Sequence, residues 1–315
     1  LTEGWKIILT HQFHDIIPGS SINEVYKDSH VNYEKAEAIA KEIEQSVFTN
    51  IMGAEESTWT VINNTNWGRS DYAHIVTEAK GQFVDEAGNV LKAQETHNGY
   101  VVYVDNIPAM GWKVIKLVDN TSNSVENNTN VFTFADGIIE TPFYHVELNE
   151  VGHMASLVDK KADRQVLAKG AKANVIQMFE DKPLAHEAWD IDIYYQEKMR
   201  EVTDLTRMEV TEKGPLHMVV RLEWNYMNTK IKQDMTFYVE DKRIDFKTWV
   251  DFRERKQLMK VAFPVDIRST YATYDVQYGN VQRPTHWNTS WDWARFETVA
   301  HKWVDLSRSE EHTSE

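Results

Sequence analysis

Met218-Val-Val-Arg-Leu-Glu-Trp224 places apolar side chains at every second position, and it is one of several such runs lying close together. Phe143-Tyr-His-Val-Glu-Leu148 precedes it, and Ile231 to Val239, Arg243 to Phe252 and Leu258-Met-Lys-Val-Ala-Phe263 follow. A period of two marks a strand with one face on a core and the other toward water. Long alternating strands with few helices among them predict a large two-sheet β-sandwich over residues 131–307.

Upstream the runs shorten. Trp59-Thr-Val-Ile62, Tyr72-Ala-His-Ile-Val76, Tyr100-Val-Val-Tyr-Val104 and Trp112-Lys-Val-Ile-Lys-Leu117 are separated by turn residues, which predicts a small antiparallel sandwich over residues 58–118. Asp85-Glu-Ala-Gly-Asn89 is a hairpin turn by composition. Residues 119–130 are polar and low in complexity, and read as a linker or exposed loop.

Residues 1–54 change period. Ile22, Val25, Tyr26, Tyr33, Ala36, Ile39, Ala40, Ile43, Val47 and Ile51 recur at helical spacing, with Lys and Glu on the opposite face. Ser21 and Glu24 have the spacing of a capping box, so this helix is expected to start there and run to about residue 52. Trp5, Ile8 and Leu9 give a second apolar stripe on a preceding helix. These faces are too apolar to stand alone and call for a partner. The fold class expected is α+β, mainly β: an N-terminal helical segment, a small antiparallel sandwich and a large sandwich.

The chain has 315 residues, 34 Lys and Arg against 49 Asp and Glu, a formal charge of −15 and no cysteine. That charge argues against a nucleic-acid backbone as partner, and no run of about 18 apolar residues is present to span a membrane as a helix. Without cysteine there are no disulfides and no thiolate metal sites, so a zinc ion would need histidine and carboxylate. The same absence suits a reducing compartment.

Between the two helices lies His11-Gln-Phe-His-Asp-Ile-Ile-Pro-Gly-Ser-Ser-Ile22, where Pro18-Gly19 forces a turn just after an imidazole, His14, and a carboxylate, Asp15. By spacing alone such a histidine is more often a surface or capping residue at a helix end than a metal ligand. Two further clusters stand out. Trp189, Asp190 and Asp192 put an aromatic ring beside carboxylates, which suits a sugar: the ring can stack on a pyranose face while oxygens accept hydroxyl protons. Equally, Trp189 could be core and the aspartates could close a turn. Arg283, His286, Trp291, Asp292, Trp293 and Arg295 crowd donors and aromatics onto one segment; they could line a sugar cleft, but Arg and Trp are common interface anchors and an interface is the favoured reading.

Gln12-Phe-His-Asp-Ile-Ile-Pro-Gly-Ser-Ser-Ile22 closely resembles a motif of the α-mannosidases of glycoside hydrolase family 38, in their bacterial and cytosolic branch. Val61-Ile-Asn-Asn-Thr-Asn-Trp-Gly-Arg69, Phe179-Glu-Asp-Lys-Pro183 with Glu187-Ala-Trp-Asp-Ile-Asp192, and Arg283 to Glu297 resemble further family signatures in the same order. Glu187 stands where the family more often has Asp, and His11 where it often has Asn, so His11 is not assigned to a metal.

The resemblance implies hydrolysis of terminal α-linked mannose with retention, by an aspartate nucleophile and a carboxylic acid, at a zinc ion held by a His and two carboxylates of an N-terminal α/β barrel plus the His matching His14. On this carry-over His14 is one zinc ligand of four and Asp15 touches a sugar hydroxyl. Nucleophile, acid and the other three ligands would belong to the barrel, so no catalytic residue is expected in these 315 residues, and the chain alone is expected to be inactive. Its partners would be a mannose-containing oligosaccharide and that barrel, and its location the cytoplasm. A non-catalytic carbohydrate-binding or assembly module is the alternative.

Arg308-Ser-Glu-Glu-His-Thr-Ser-Glu315 is what the start of a common short-read sequencing adapter encodes, so residues 308–315 are expected to be foreign sequence joined onto a truncated gene.

Overall fold

A computed structural model describes residues 1–52, 55–119 and 131–307. Most of the expected linker and the whole adapter-like tail lie outside the described residues.

Helices α1 (Thr2–His11) and α2 (Asn23–Met52) form an antiparallel hairpin. Gly4 faces the Ile39 side chain near one end and the His11 ring lies 5.2 Å from the Tyr33 ring near the other. Ala36 and Ser29 are buried on α2, but Trp5, Leu9, Phe13, Ile17, Ile22, Val31 and Val47 are exposed. The expected apolar stripe is therefore present and about half of it is uncovered. Helix α2 opens at Asn23 rather than at a Ser21 cap, because the Ser21 hydroxyl donates instead to the Asp15 carbonyl oxygen at 2.5 Å.

The small sandwich has two three-stranded sheets. In one, Gly111–Val118 lies between Thr58–Asn63 and Gln82–Asp85; in the other, Gly99–Ile107 lies between Arg69–Val76 and Ala93–Thr96. Phe83, Ile115 and Leu117 of the first sheet meet Ile75, Val102 and Val104 of the second in one core. The turn after Asp85 forms as composition suggests: Asp85 Oδ1 accepts from the backbone N–H groups of Ala87 and Asn89, with Gly88 at φ +83°.

The larger β region is built on an antiparallel four-stranded sheet, Asp204–Lys213, His217–Tyr226, Thr229–Tyr238 and Ile244–Asp251 in that order. Met218, Val220, Leu222 and Trp224 alternate onto its inner face, with Ile231, Met235 and Phe237 paired across from three of them. They pack on Ile139, Val146, Leu148 and Met154 of a five-stranded sheet spanning Thr133–Ala135 to Arg164–Gln165, and on Ile176 and Met178 of the strand Val175–Glu180. That strand lies between Met199–Glu201 and Gln257–Ala262. A last three-stranded sheet, Gly279–Pro284, Tyr271–Val276 and Val304–Asp305, carries the short helix α3 (Ser290–Ala294). The chain is thus mainly antiparallel β with a short helical N-terminal segment. No helix among the described residues is long and apolar enough to cross a membrane.

Tyr72, Lys92 and Gln94 all reach from the small β region to the large one, and of these Gln94 is buried. Gln94 Oε1 accepts from the backbone N–H groups of both Leu216 and His217, each at 2.9 Å, and all three residues are buried. Gln94→Ala strands two buried donors, and is expected to lower unfolding free energy by about 2 kcal/mol in urea titration.

Two buried histidines of the large β region set an acid limit. Burial holds His217 below the ordinary imidazole range, against the opposing hydrogen bond to Glu212 at 2.9 Å and with a smaller contribution from His74. Burial does the same to His153, whose Nε2 lies 3.0 Å from the Val202 carbonyl oxygen. A histidine whose pKa falls on folding binds its proton more readily in the unfolded chain. Its contribution is complete above about pH 6.5 and declines as pH drops through the folded pKa. Urea midpoints are expected to fall between pH 7.5 and pH 5, about where imidazoles titrate, and to fall less in His217→Gln.

Candidate functional site

Three clusters singled out in the sequence are each locally ordered. Helix α1 ends at His11, and the chain then makes successive tight turns in which Ile16 N donates to Phe13 O and Gly19 N to Ile16 O. Gly19, at φ +85°, allows the reversal that Pro18 begins. Ser21 and Tyr26 pin the loop from beneath: the Ser21 hydroxyl holds Asp15 O, and Ser21 N donates to Tyr26 Oη at 2.9 Å. With the Asp15 backbone fixed, its side chain and that of His14 turn outward. The His14 side chain is 72% exposed, its ring lies 4.3 Å from the Phe13 ring, and its Nε2 is 3.6 Å from Asp15 Oδ2. That gap is too long for a hydrogen bond, so neither group holds the other.

This loop offers a metal one imidazole nitrogen and one carboxylate. Zinc sites use three or four protein ligands, and among the described residues no group of three His, Asp or Glu side chains is placed to hold a metal. The described residues therefore do not make a zinc site by themselves. His11 is buried against Tyr33, with no hydrogen-bond partner at either ring nitrogen among the described residues.

The second cluster is the loop after Asp181. Trp189 N and Asp190 N both donate to His186 O, and Asp192 Oδ2 accepts from Leu184 N at 2.7 Å, closing the loop. Asp192 is thus a turn-closing residue. Trp189 is not core: it is 61% exposed, with Asp190 half-buried beside it. Glu187 is engaged by Lys256 at 2.8 Å. Burial, with the charges of Asp192 and Glu187, pushes the Asp181 carboxyl above its ordinary range.

The third cluster surrounds α3. Thr289 and Asp292 form a capping box: the Thr289 hydroxyl accepts from Asp292 N, and Asp292 Oδ2 accepts from Thr289 N at 3.0 Å. Hydrogen bonds from Thr289, and to a smaller extent the electrostatic influence of His286 and Arg295, hold the Asp292 carboxyl below the usual range. Arg283, His286, Asp292 and Arg295 line a small cavity of about 110 Å³ with Trp287, and His286 Nδ1 lies 3.6 Å from Asp292 Oδ2. Trp291 and Trp293 stand outside it and are exposed. A sugar ring would not fit that cavity, so the cluster is chiefly an aromatic outer surface over a polar knot.

Sequence reasoning missed the tie between the second and third clusters. Tyr195 lies in the 3₁₀ helix Ile193–Glu197 directly after Asp192, and its hydroxyl donates to Glu297, just beyond α3. Lys260 Nζ reaches Tyr195 Oη at 2.7 Å and also pairs with Glu297. Burial opposes the Lys260 charge, but its bonds to Glu297 and Tyr195 outweigh that and raise its pKa. Glu297 closes the Arg283 to Glu297 block, and that is the only sequence signal the tie had. No hydrogen bond or ion pair among the described residues connects His14 or Asp15 to either other cluster.

Two family models match this arrangement: the glycosyl hydrolases family 38 C-terminal domain over residues 139–314, and the alpha mannosidase middle domain over residues 1–51. The first covers more than half of the chain. The chain belongs to glycosyl hydrolase family 38. Alpha-mannosidase G of Dictyostelium discoideum is 28% identical over 98% of this chain and 32% of its own length. Human alpha-mannosidase 2C1 is 29% identical over 96% of the chain and 28% of its own length. The family 38 chain thus spans about a third or less of these relatives. An alpha-mannosidase from Enterococcus faecalis V583 shares the fold, with a TM-score of 0.67 at 13% identity over 90% of this chain and 40% of that one.

Proposed function

We propose that this chain is a fragment, covering the helical middle domain and part of the C-terminal β domains, of a zinc-dependent, retaining α-mannosidase that removes terminal α-linked mannose from oligosaccharides in the cytoplasm. The observation that carries the reading is the collinear match of nearly the whole chain to alpha-mannosidases of which it spans only part. In this reading His14 supplies one zinc ligand and Asp15 a contact to a sugar hydroxyl, while an N-terminal barrel supplies the nucleophile, the acid and the remaining ligands. The 315-residue chain is then inactive alone. Its uncovered face, with Trp5, Leu9, Phe13 and Ile17 around the His14 loop, suits burial against that barrel. The aromatic surface of α3 suits the same use.

Purified chain is expected to hydrolyse no aryl α-mannoside and to retain no stoichiometric zinc after gel filtration. Chelator-sensitive turnover would contradict the reading. A second reading, a carbohydrate-binding module, is favoured by one observation, the exposed Trp189 beside Asp190. It requires the isolated chain to bind mannose oligosaccharides in calorimetry, and Trp189→Ala to abolish that binding.

A further inference from the structure

Among the described residues the two β regions keep separate apolar cores, one around Phe83, Val102 and Ile115 and the other around Met218, Leu222 and Trp224. What joins them is chiefly polar. The turn Gly214-Pro215-Leu216-His217 docks on Gln94, whose Oε1 holds the Leu216 and His217 N–H groups, and a Cβ at Gly214 would collide with the Gln94 side chain. Beside it the Tyr72 ring lies 4.6 Å from that of Tyr238, Lys92 pairs with Glu240, and Arg243 Nη2 stands 3.5 Å from Asp71 Oδ1. A cavity of about 690 Å³ lies at this seam and is lined from both regions.

His217 sits in that seam with 3% of its surface exposed. Its Nε2 is 2.9 Å from Glu212 Oε2, and a carboxylate only accepts, so Nε2 carries the proton of the neutral ring. Nδ1 is buried and has no hydrogen-bond partner among the described residues. A second proton therefore places an N–H donor where nothing accepts it, and a buried unpaired donor is costly. The surroundings add to that cost. His74 and His97 line the same cavity from the small sandwich; His97 Nδ1 is 3.6 Å from Glu212 Oε1, so a charged His97 draws on the carboxylate that His217 uses, and Lys213 adds a further cation. The other charged groups there are engaged: Glu95 with Lys80, Asp234 with Arg221 at 2.6 Å, and Lys247 over the Trp249 ring. Tyr238, its ring 6.4 Å from that of His217, spends its hydroxyl on Asp245 and lies under Arg243.

We propose that the seam is an acid-opened joint, in which a second proton on the His217 ring is accommodated by the small sandwich lifting off the turn at residues 214–217, so that water reaches Nδ1 while both cores stay folded. Burial holds this imidazole below its ordinary range in the closed seam, and the bond to Glu212 only partly offsets that. The closed form is therefore fully favoured above about pH 6.5 and is lost as pH falls through the closed-state pKa, by at most about tenfold per pH unit for one proton. The joint does not depend on the mannosidase reading, since none of these residues belongs to the His14 loop.

Amide hydrogen exchange of the whole chain, read by NMR and corrected for the intrinsic rate at each pH, tests it. The Leu216 and His217 N–H groups bond across the seam, so their protection reports the joint, while those of Leu222 and Met235, on the two central strands of the four-stranded sheet, report the core. Between pH 7 and pH 5 protection at Leu216 and His217 is expected to fall at least about fivefold relative to Leu222 and Met235. In His217→Gln that difference should vanish. In Glu212→Gln, which keeps an acceptor for Nε2 but removes the charge that favours the imidazolium, it should deepen. Constant protection at Leu216 and His217, a loss matched at Leu222 and Met235, or an undiminished loss in His217→Gln would each overturn the proposal. If His217→Gln loses its cooperative transition, wild type and Glu212→Gln are held to the same outcomes, and a loss abolished by Glu212→Gln overturns it as well.

Discussion

Trp224→Ala is expected to lower the unfolding free energy by about 3–5 kcal/mol, the range found when large aromatic side chains are removed from well-packed cores. Trp224 is 1% exposed and sits where the four-stranded sheet meets the loop Val151–His153. Its indole N–H donates to the Val151 carbonyl oxygen at 2.8 Å. Gly152, at φ +81°, leaves the ring no spare room, since a Cβ there would stand 3.1 Å from Trp224 Cζ2. The neighbours are strand residues fixed by ladder hydrogen bonds on both sides, so collapse into the void is limited. Trp224→Phe keeps most of the volume but strands the carbonyl oxygen, and should cost about 1–2 kcal/mol. Urea unfolding followed by far-UV circular dichroism checks both. An alanine variant within about 1 kcal/mol of wild type would mean the large core is not organised around this residue.

The same residue explains why the β architecture was legible. From Met218 to Trp224 even positions are apolar and lie on the core, because a strand with one solvated face has no other way to satisfy its periodicity. The strands Gln82–Asp85 and Ala93–Thr96 went unread because four residues are too few to display a period. Ser21 misled for a local reason. A hydroxyl able to cap a helix is equally able to close the preceding turn, and the Asp15 carbonyl oxygen was nearer. Trp189 was undecided because composition does not say what covers a ring.

The long-range tie of Tyr195 and Lys260 to Glu297 was beyond any pattern reading, since its partners lie 102 and 37 residues apart. It matters because it fixes α3 relative to the loop carrying Trp189 through side chains alone. The exposed tryptophans of α3 and the exposed ring of Trp189 are therefore positioned by one polar knot. A face that is apolar at its rim and rigid beneath is better suited to a permanent contact than to solvent.

The sharpest contrast in the candidate site lies between two histidines one turn apart, and it yields the second large prediction. In the longer mannosidase that the proposed function requires, His14→Ala is expected to lower both bound zinc and mannoside hydrolysis by about 100-fold or more, since loss of even an outer-shell partner costs 10–100-fold. Folding should be nearly untouched, within about 0.5 kcal/mol, because the His14 side chain is 72% exposed. His11→Ala should do the reverse. His11 is buried between the helices against Tyr33, so its removal opens a void and lowers helix-hairpin stability while zinc content stays near wild type. Atomic emission for zinc, with thermal unfolding of the same samples, separates the two effects. Wild-type zinc content in His14→Ala would remove His14 from the metal, and with it the strongest reason for reading this loop as part of an active centre.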